Sequence, residues 1–101
     1  MRDVIPSASM IRSFAAKATQ ALFEDRLVLR FRNIERPARR KLLYLHRART
    51  LGDLQVPPGN RLEALAGDRR GQHSIRVNDQ WRICFRWEHG DAYEVEIVDY
   101  H

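Results

Sequence analysis

His73-Ser74-Ile75-Arg76-Val77-Asn78-Asp79-Gln80-Trp81-Arg82-Ile83-Cys84-Phe85-Arg86-Trp87 consists of two runs of alternating character joined by three turn-forming residues. An apolar side chain at every second position is the period of a strand with one buried face. The apolar set is Ile75 and Val77 in the first run and Trp81, Ile83, Phe85 and Trp87 in the second. Both sets face one core only if Val77 sits opposite Trp81 and Ile75 opposite Ile83, because a slip of one residue turns every side chain over. That register makes Asn78-Asp79-Gln80 a three-residue hairpin connection, usually built with one left-handed residue, for which Asn or Asp is suited. It also makes Arg76 and Arg82 cross-strand neighbours on the other face, where like charges repel unless an anion or acid lies between them.

The segment Asp91-Ala92-Tyr93-Glu94-Val95-Glu96-Ile97-Val98 has the same period of two. Tyr93, Val95 and Ile97 are predicted to point inward, with Glu94, Glu96, Val98 and Tyr100 on the Arg82 face. One even register pairs Arg86 with Glu94 and Arg82 with Val98, leaving Tyr100 diagonal to Arg82 and Asp99 and His101 at the rim. A tail tied to a sheet in this way holds three ionisable groups in place; the alternative is a capped edge strand with a solvated end, in which Arg82 merely pairs with a surface acid.

Upstream, a short strand is predicted over Met10 to Phe14 and a helix over about Ala16 to Asp25, with Ala18, Ala21 and Leu22 on one face. A second helix is predicted to begin at Pro37, a residue favoured at the first helical position. Ala38, Leu42, Leu45 and Arg49 fall on its stripe, so the Arg49 stem would continue the apolar face. Gly52 and Pro57-Pro58-Gly59 then mark a loop. The order is strand, two helices, antiparallel strands, which is α+β.

A chain of 101 residues supports one domain with a modest core. That domain is assigned to residues 10–101; residues 1–9 have no period and read either as a loose arm after a start at Met1 or as the product of a misassigned upstream start codon, with Met10 then the start. The formal charge of +5 points to an anionic partner. Its distribution is uneven: residues 88–101 hold five acids and no Lys or Arg, while nine bases and one acid, Glu35, lie between Arg26 and Arg49. Such a run is either a solvated helix face or an anion-binding one. Cys84 is the only cysteine, which excludes an intrachain disulfide and a thiolate zinc site. A cytoplasmic protein is expected, since no apolar run approaches the roughly 18 residues of a membrane span.

Four ordered stretches carry a family resemblance: Arg61-Leu62-Glu63-Ala64-Leu65-Ala66-Gly67-Asp68-Arg69-Arg70-Gly71, then Ser74 to Phe85, then Gly90-Asp91-Ala92-Tyr93, then Val98-Asp99-Tyr100-His101. Together with Ile11-Arg12-Ser13-Phe14 they resemble the HigB-type toxins of bacterial type II toxin–antitoxin systems, also called plasmid maintenance system killer proteins, within the RelE superfamily. The resemblance implies a small RelE-like α+β domain, with an N-terminal strand and two helices packed on a C-terminal antiparallel sheet. It implies an endoribonuclease, an mRNA interferase that enters the ribosomal A site, cuts translated mRNA without a metal or other cofactor, and is neutralised by a helix-turn-helix antitoxin of the HigA type. Operator DNA would be met only through the antitoxin complex, and no membrane is involved.

By the same resemblance Arg82 matches the arginine that stabilises the scissile phosphate, and Asp99, Tyr100 and His101 match the functional tail. Two positions depart: Glu63 stands where some members have His, and Ala66 where a Lys is usual. Internal attack on RNA needs a base for the 2′-OH proton, a cation for the phosphorane and an acid for the leaving oxygen. Glu63, Asp99 and His101 compete as base, and Tyr100 or His101 serves as acid or orients the nucleotide. Substrate orientation falls to Arg69 and Arg70 with Arg76, and docking to Arg39, Arg40 and Lys41 on the basic helix. His46, His73 and His89 read as packing or surface residues, without the spacing of a metal site. Two rival readings remain, a toxin homologue that binds ribosome or antitoxin without cutting, and a nonspecific nucleic-acid-binding protein.

Overall fold

The computed structural model of the chain describes residues 10–99; Tyr100, His101 and the arm at residues 1–9 lie outside the described residues. Helix α1 spans Lys17–Phe23 and α2 Glu35–Arg47, followed by strands β1 (Glu63–Ala64), β2 (His73–Arg76), β3 (Trp81–Glu88) and β4 (Asp91–Asp99). The strands form one antiparallel sheet in the order β1-β2-β3-β4, with the helices on one side of it.

The first hairpin has the register its parity demands: Ile75 pairs with Ile83 and Arg76 with Arg82, and the Val77 N–H donates to the Trp81 carbonyl at 2.9 Å. Its connection differs from expectation. No residue from Asn78 to Gln80 is left-handed; instead Asn78 Oδ1 accepts from the N–H groups of Gln80 at 2.9 Å and Trp81 at 2.8 Å. The side chain thus replaces the turn hydrogen bond, which removes the need for a positive φ. At the β3–β4 turn, His89 (φ +53°) and Gly90 (φ +84°) are both left-handed, as a two-residue type I′ turn requires.

The expected register holds at one end of β4 and fails at the other. Arg82 pairs with Val98 and Ile83 with Ile97, but Arg86 faces Tyr93 and not Glu94, because β4 carries an extra residue between Cys84 and Arg86. Glu94, at φ +54°, sits in this bulge. The bulge inverts parity beyond it, so Ala92 joins Val95 and Ile97 in the core while Tyr93 is only half-buried. Glu94 still reaches Arg86 Nε at 2.9 Å. The N-terminal segment crosses the edge here as two isolated parallel bridges, Ile11 to Ala92 and Phe14 to Val95. It does not form the continuous strand expected over Met10 to Phe14, since the bulge between the bridges breaks the ladder. The Glu94 N–H donates to Ser13 Oγ at 2.9 Å.

Helix α1 ends two residues before the predicted boundary. Asp25 is left-handed (φ +69°), the Arg26 N–H returns to the Ala21 carbonyl at 2.9 Å and the Asp25 N–H to Leu22 at 3.1 Å, the paired bonds of a Schellman end. Helix α2 starts at Glu35, two residues before Pro37, directly after a 3-10 turn at Leu29–Ile34. Proline is tolerated there because a first-turn N–H has no intrahelical acceptor. Ala38, Leu42 and Leu45 are fully buried in the same core as Ile75, Ile83 and Phe85. Arg49 does not extend the stripe: Ala48 is extended (ψ 134°), and Arg49 is exposed beyond the helix end. The Arg49 and Thr50 N–H groups instead donate to Asp53 Oδ2 at 2.9 and 3.2 Å, and these bonds hold the Asp53 carboxyl below its ordinary pKa.

Two polar staples join the layers. Thr19 Oγ1 on α1 accepts the Ile97 N–H at 3.0 Å. His46 Nδ1 on α2 accepts the Ile11 N–H at 3.1 Å, with the ring 5.2 Å from that of Phe23; burial, then the nearby Arg47, push its pKa down.

Candidate catalytic face

On the side of the sheet away from the helices, β2 presents Ser74 and Arg76 and β3 presents Arg82, Cys84 and Arg86. This face is covered where the sequence suggested it would be open. The segment 61–72 doubles back beside β2, pairing Glu63 with Ser74 and Ala64 with His73. From its turn, Arg69 bonds Gln72 Oε1 at 3.0 Å and Glu96 Oε1 at 3.4 Å. Ser74 and Cys84 are left without solvent exposure, and burial raises the Cys84 thiol pKa.

Arg82 is therefore buried, 7% exposed, and not the open-face side chain that strand parity alone implies. Its Nε–H donates to Ser74 Oγ at 2.8 Å, and Nη2 donates to the carbonyls of Arg61 at 2.6 Å and Ser74 at 3.4 Å. A desolvated guanidinium is tolerable only with such acceptors. Arg61 supplies its carbonyl from a left-handed conformation, φ +46°. The Glu63 carboxylate stands 3.8 Å from Nη2. Among the described residues a separate acid faces each arginine, Asp79 for Arg76 and Glu63 for Arg82.

Asp99 lies exposed at the end of β4, opposite Trp81, and accepts from Gln80 Nε2 at 3.1 Å. The structure thus gathers Arg82, Glu63 and Arg76 on one face, with Asp99 at the end of the sheet and the exposed Arg70 beside Arg69 on the covering turn. The three docking candidates on α2 lie in the helical layer and differ among themselves. Arg39 is used internally: it donates to the carbonyls of Leu22 at 3.1 Å and Arg26 at 3.0 Å and pairs with Asp25 and Glu35. Lys41 bonds the side chain of buried Asn60 and lies 5.3 Å from the Tyr44 ring centre; burial, then Arg40 and Arg76, lower its pKa. Arg40 is exposed, in line with Arg36 and Arg47 at helical spacing.

Sequence reasoning missed Ser74 and Arg61. Ser74 had a signal, a small hydroxyl residue diagonal to Arg82 in the parity register, whereas Arg61 contributes only its backbone. Among the described residues, no three His, Cys, Asp or Glu side chains converge to hold a metal ion.

The sequence pattern and the geometry meet in the comparisons. A family model described as the RelE-like toxin of type II toxin–antitoxin system HigB matches residues 12–101. The chain belongs to the HigB toxins. Toxin HigB-1 of Vibrio cholerae is 42% identical over 85 residues, covering 82% of this chain and 90% of that protein. Endoribonuclease HigB of Proteus vulgaris is 35% identical over 94 residues, covering 91% and 100%. A solved structure of the YoeB-YefM complex from Staphylococcus aureus matches with a TM-score of 0.50 at 13% identity, over 92% of this chain and 99% of that one, a likeness of fold. As a HigB toxin this chain has an antitoxin partner, and no helix among its described residues is long and apolar enough to cross a membrane.

Proposed function

We propose that this HigB toxin is an endoribonuclease that enters the A site of a translating ribosome in the cytoplasm and cuts mRNA there without a metal ion. The observation that carries the reading is Arg82, a guanidinium immobilised on the helix-free face with the Glu63 carboxylate 3.8 Å away. The activity named for the Proteus vulgaris relative supports the same chemistry.

In this reaction the 2′-oxygen bonds to phosphorus, its proton passes to a base, and the departing 5′-oxygen takes a proton from an acid. Glu63, the carboxylate beside the guanidinium, takes the 2′-OH proton. Arg82 stabilises the charge that builds on the phosphorane oxygens. Tyr100 or His101, which follow Asp99 directly, protonates the leaving oxygen, and the Tyr100 ring offers a stacking surface for a base. With alanine at position 66, orientation of the flanking phosphates falls to Arg70 and Arg76. The exposed Arg36, Arg40 and Arg47 of α2 dock the toxin on ribosomal RNA. A helix-turn-helix antitoxin of the HigA type neutralises the toxin, and operator DNA is reached only through that complex. The internal bonds of Arg82 also suit a second reading, a homologue that binds without cutting.

Glu63→Gln tests the assigned base, and expression of the parent separates the two readings. Its side chain is half-exposed, so the variant should fold normally while cleavage of translated mRNA falls by about 10²-fold or more, the usual worth of a general base. A folded Glu63→Gln protein that cuts at the parent rate removes Glu63 from the mechanism. Expression of the parent without an antitoxin should slow growth; unchanged growth at high expression would favour the binding module.

A further inference from the structure

We infer that Ser74 is a positioning residue for Arg82: its hydroxyl, together with the Arg61 carbonyl, fixes the guanidinium for the scissile phosphate and holds it off the Glu63 carboxylate. The inference rests on the endoribonuclease reading above. Ser74 is fully buried on β2, opposite Cys84 and adjacent to the Arg76–Arg82 pair. Its Oγ accepts the Arg82 Nε–H at 2.8 Å and its carbonyl accepts from Nη2 at 3.4 Å. The Arg61 carbonyl accepts from the same Nη2 at 2.6 Å. The Nε–Nη2 edge of the fork is committed to three protein oxygens, and because a guanidinium is planar, fixing one edge fixes the orientation of the whole group.

The position of Glu63 shows what this anchoring prevents. Its Oε1 stands 3.8 Å from Nη2, close enough to attract but beyond hydrogen-bond length. An arginine and a carboxylate left to themselves close into a bidentate pair. Closure would occupy the cation and tie up the carboxylate oxygen that has to accept a proton. The bonds to Ser74 and Arg61 oppose it. Without the Ser74 hydroxyl, a buried Nε–H loses its acceptor, and rotation toward Glu63, 3.8 Å from Nη2, would compensate for it. Ser74 therefore acts through Arg82 and not on RNA.

The test compares Ser74→Ala, Ser74→Thr, Arg82→Ala and the parent, each as the full chain, for single-turnover cleavage of mRNA in a translating extract. The Arg82 Nε–H signal is followed by nitrogen-15 NMR of the free protein. Ser74→Ala should fall roughly 10- to 100-fold in maximal rate, the scale of a misplaced catalytic group, with the half-saturating ribosome concentration unchanged and the Arg82 signal broadened or shifted. Ser74→Thr, which keeps the hydroxyl, should restore both rate and signal. If the parent cuts, Arg82→Ala does not, and Ser74→Ala cuts at the parent rate, the Ser74 inference fails and the endoribonuclease reading stands. A Ser74→Ala loss with an unaltered Arg82 signal makes Ser74 a packing residue and also overturns the inference. A folded parent that leaves translated mRNA intact sinks both.

Discussion

Replacing Arg82 by alanine should cost the protein stability as well as activity, and the two losses separate by size. The side chain is 8% exposed and makes buried bonds to Ser74 Oγ and the Ser74 carbonyl and a part-buried bond to the Arg61 carbonyl. A hydrogen bond to a charged group contributes about 1.5–3 kcal/mol net, and leaving a buried partner unsatisfied costs a comparable amount. The guanidinium's own desolvation is relieved by the substitution, which offsets part of this. A net loss of about 2–3 kcal/mol follows, or a fall of roughly 10–20 °C in melting temperature for a domain of this length. Even from a parent stability of only about 5 kcal/mol, at least about 97% of the variant stays folded at 25 °C. Unfolding therefore accounts for only a few per cent of lost activity, whereas a lost transition-state donor removes about 10²- to 10³-fold. Thermal melts by circular dichroism and single-turnover mRNA cleavage on the same preparation measure the two quantities. A melting temperature within about 3 °C of the parent would refute the buried, anchored arginine; a lowered melting temperature with parent-like cleavage would make Arg82 purely structural.

His46 adds a pH dependence. Its folded-state pKa is lowered, so the unfolded chain binds the extra proton first and stability is lost as pH falls through about 6.5 and below. The melting temperature should drop between pH 7.5 and 5.5 by more in the parent than in His46→Gln, and equal slopes would remove His46 from that dependence. On α2, Arg39→Ala should destabilise by about 1–2 kcal/mol through its two lost backbone bonds, the exposed Asp25 partner adding little. Arg40→Glu with Arg47→Glu should leave stability within about 0.5 kcal/mol yet weaken ribosome binding and flatten its salt dependence. Urea titration and ribosome co-sedimentation over a salt series distinguish the two kinds of arginine, and salt-independent binding would make the α2 charges a solvated face.

Register was legible in this sequence because the buried face of β2 and β3 is apolar at every second residue, and a one-residue slip would have exposed Ile75, Ile83 and Phe85 together. The same rule misled at β4. Parity carries over only while the ladder is unbroken, and the bulge at Glu94 shifted Ala92 inward and Tyr93 outward. No residue type announces that bulge, because Glu is an unusual occupant of a left-handed site. Its cause is tertiary: the N-terminal segment bonds Glu94 and Val95 through Ser13. The α2 stripe was legible to Leu45 and failed at Arg49, where the competing Thr50–Asp53 cap takes the backbone donors.

Arg82 shows why a site is harder to read than a register. Pairing fixes what lies beside a side chain in the plane of the sheet, and it placed Arg82 correctly between Arg76 and Val98. Exposure depends on what lies above that plane. Here the cover is the segment 61–72, whose regular parts are the two-residue strand Glu63–Ala64 and the 3-10 turn Gly67–Arg69 and whose decisive contact is a backbone carbonyl that any residue type carries. An arginine in such a place is held by acceptors on its neighbours, so the sequence signal lay in Ser74, a residue able to accept the Nε–H without filling the space the guanidinium needs. If Ser74→Thr supports cleavage and Ser74→Ala does not, acceptor chemistry next to a strand arginine distinguishes an anchored guanidinium from a solvated one, a distinction that charge counting does not make.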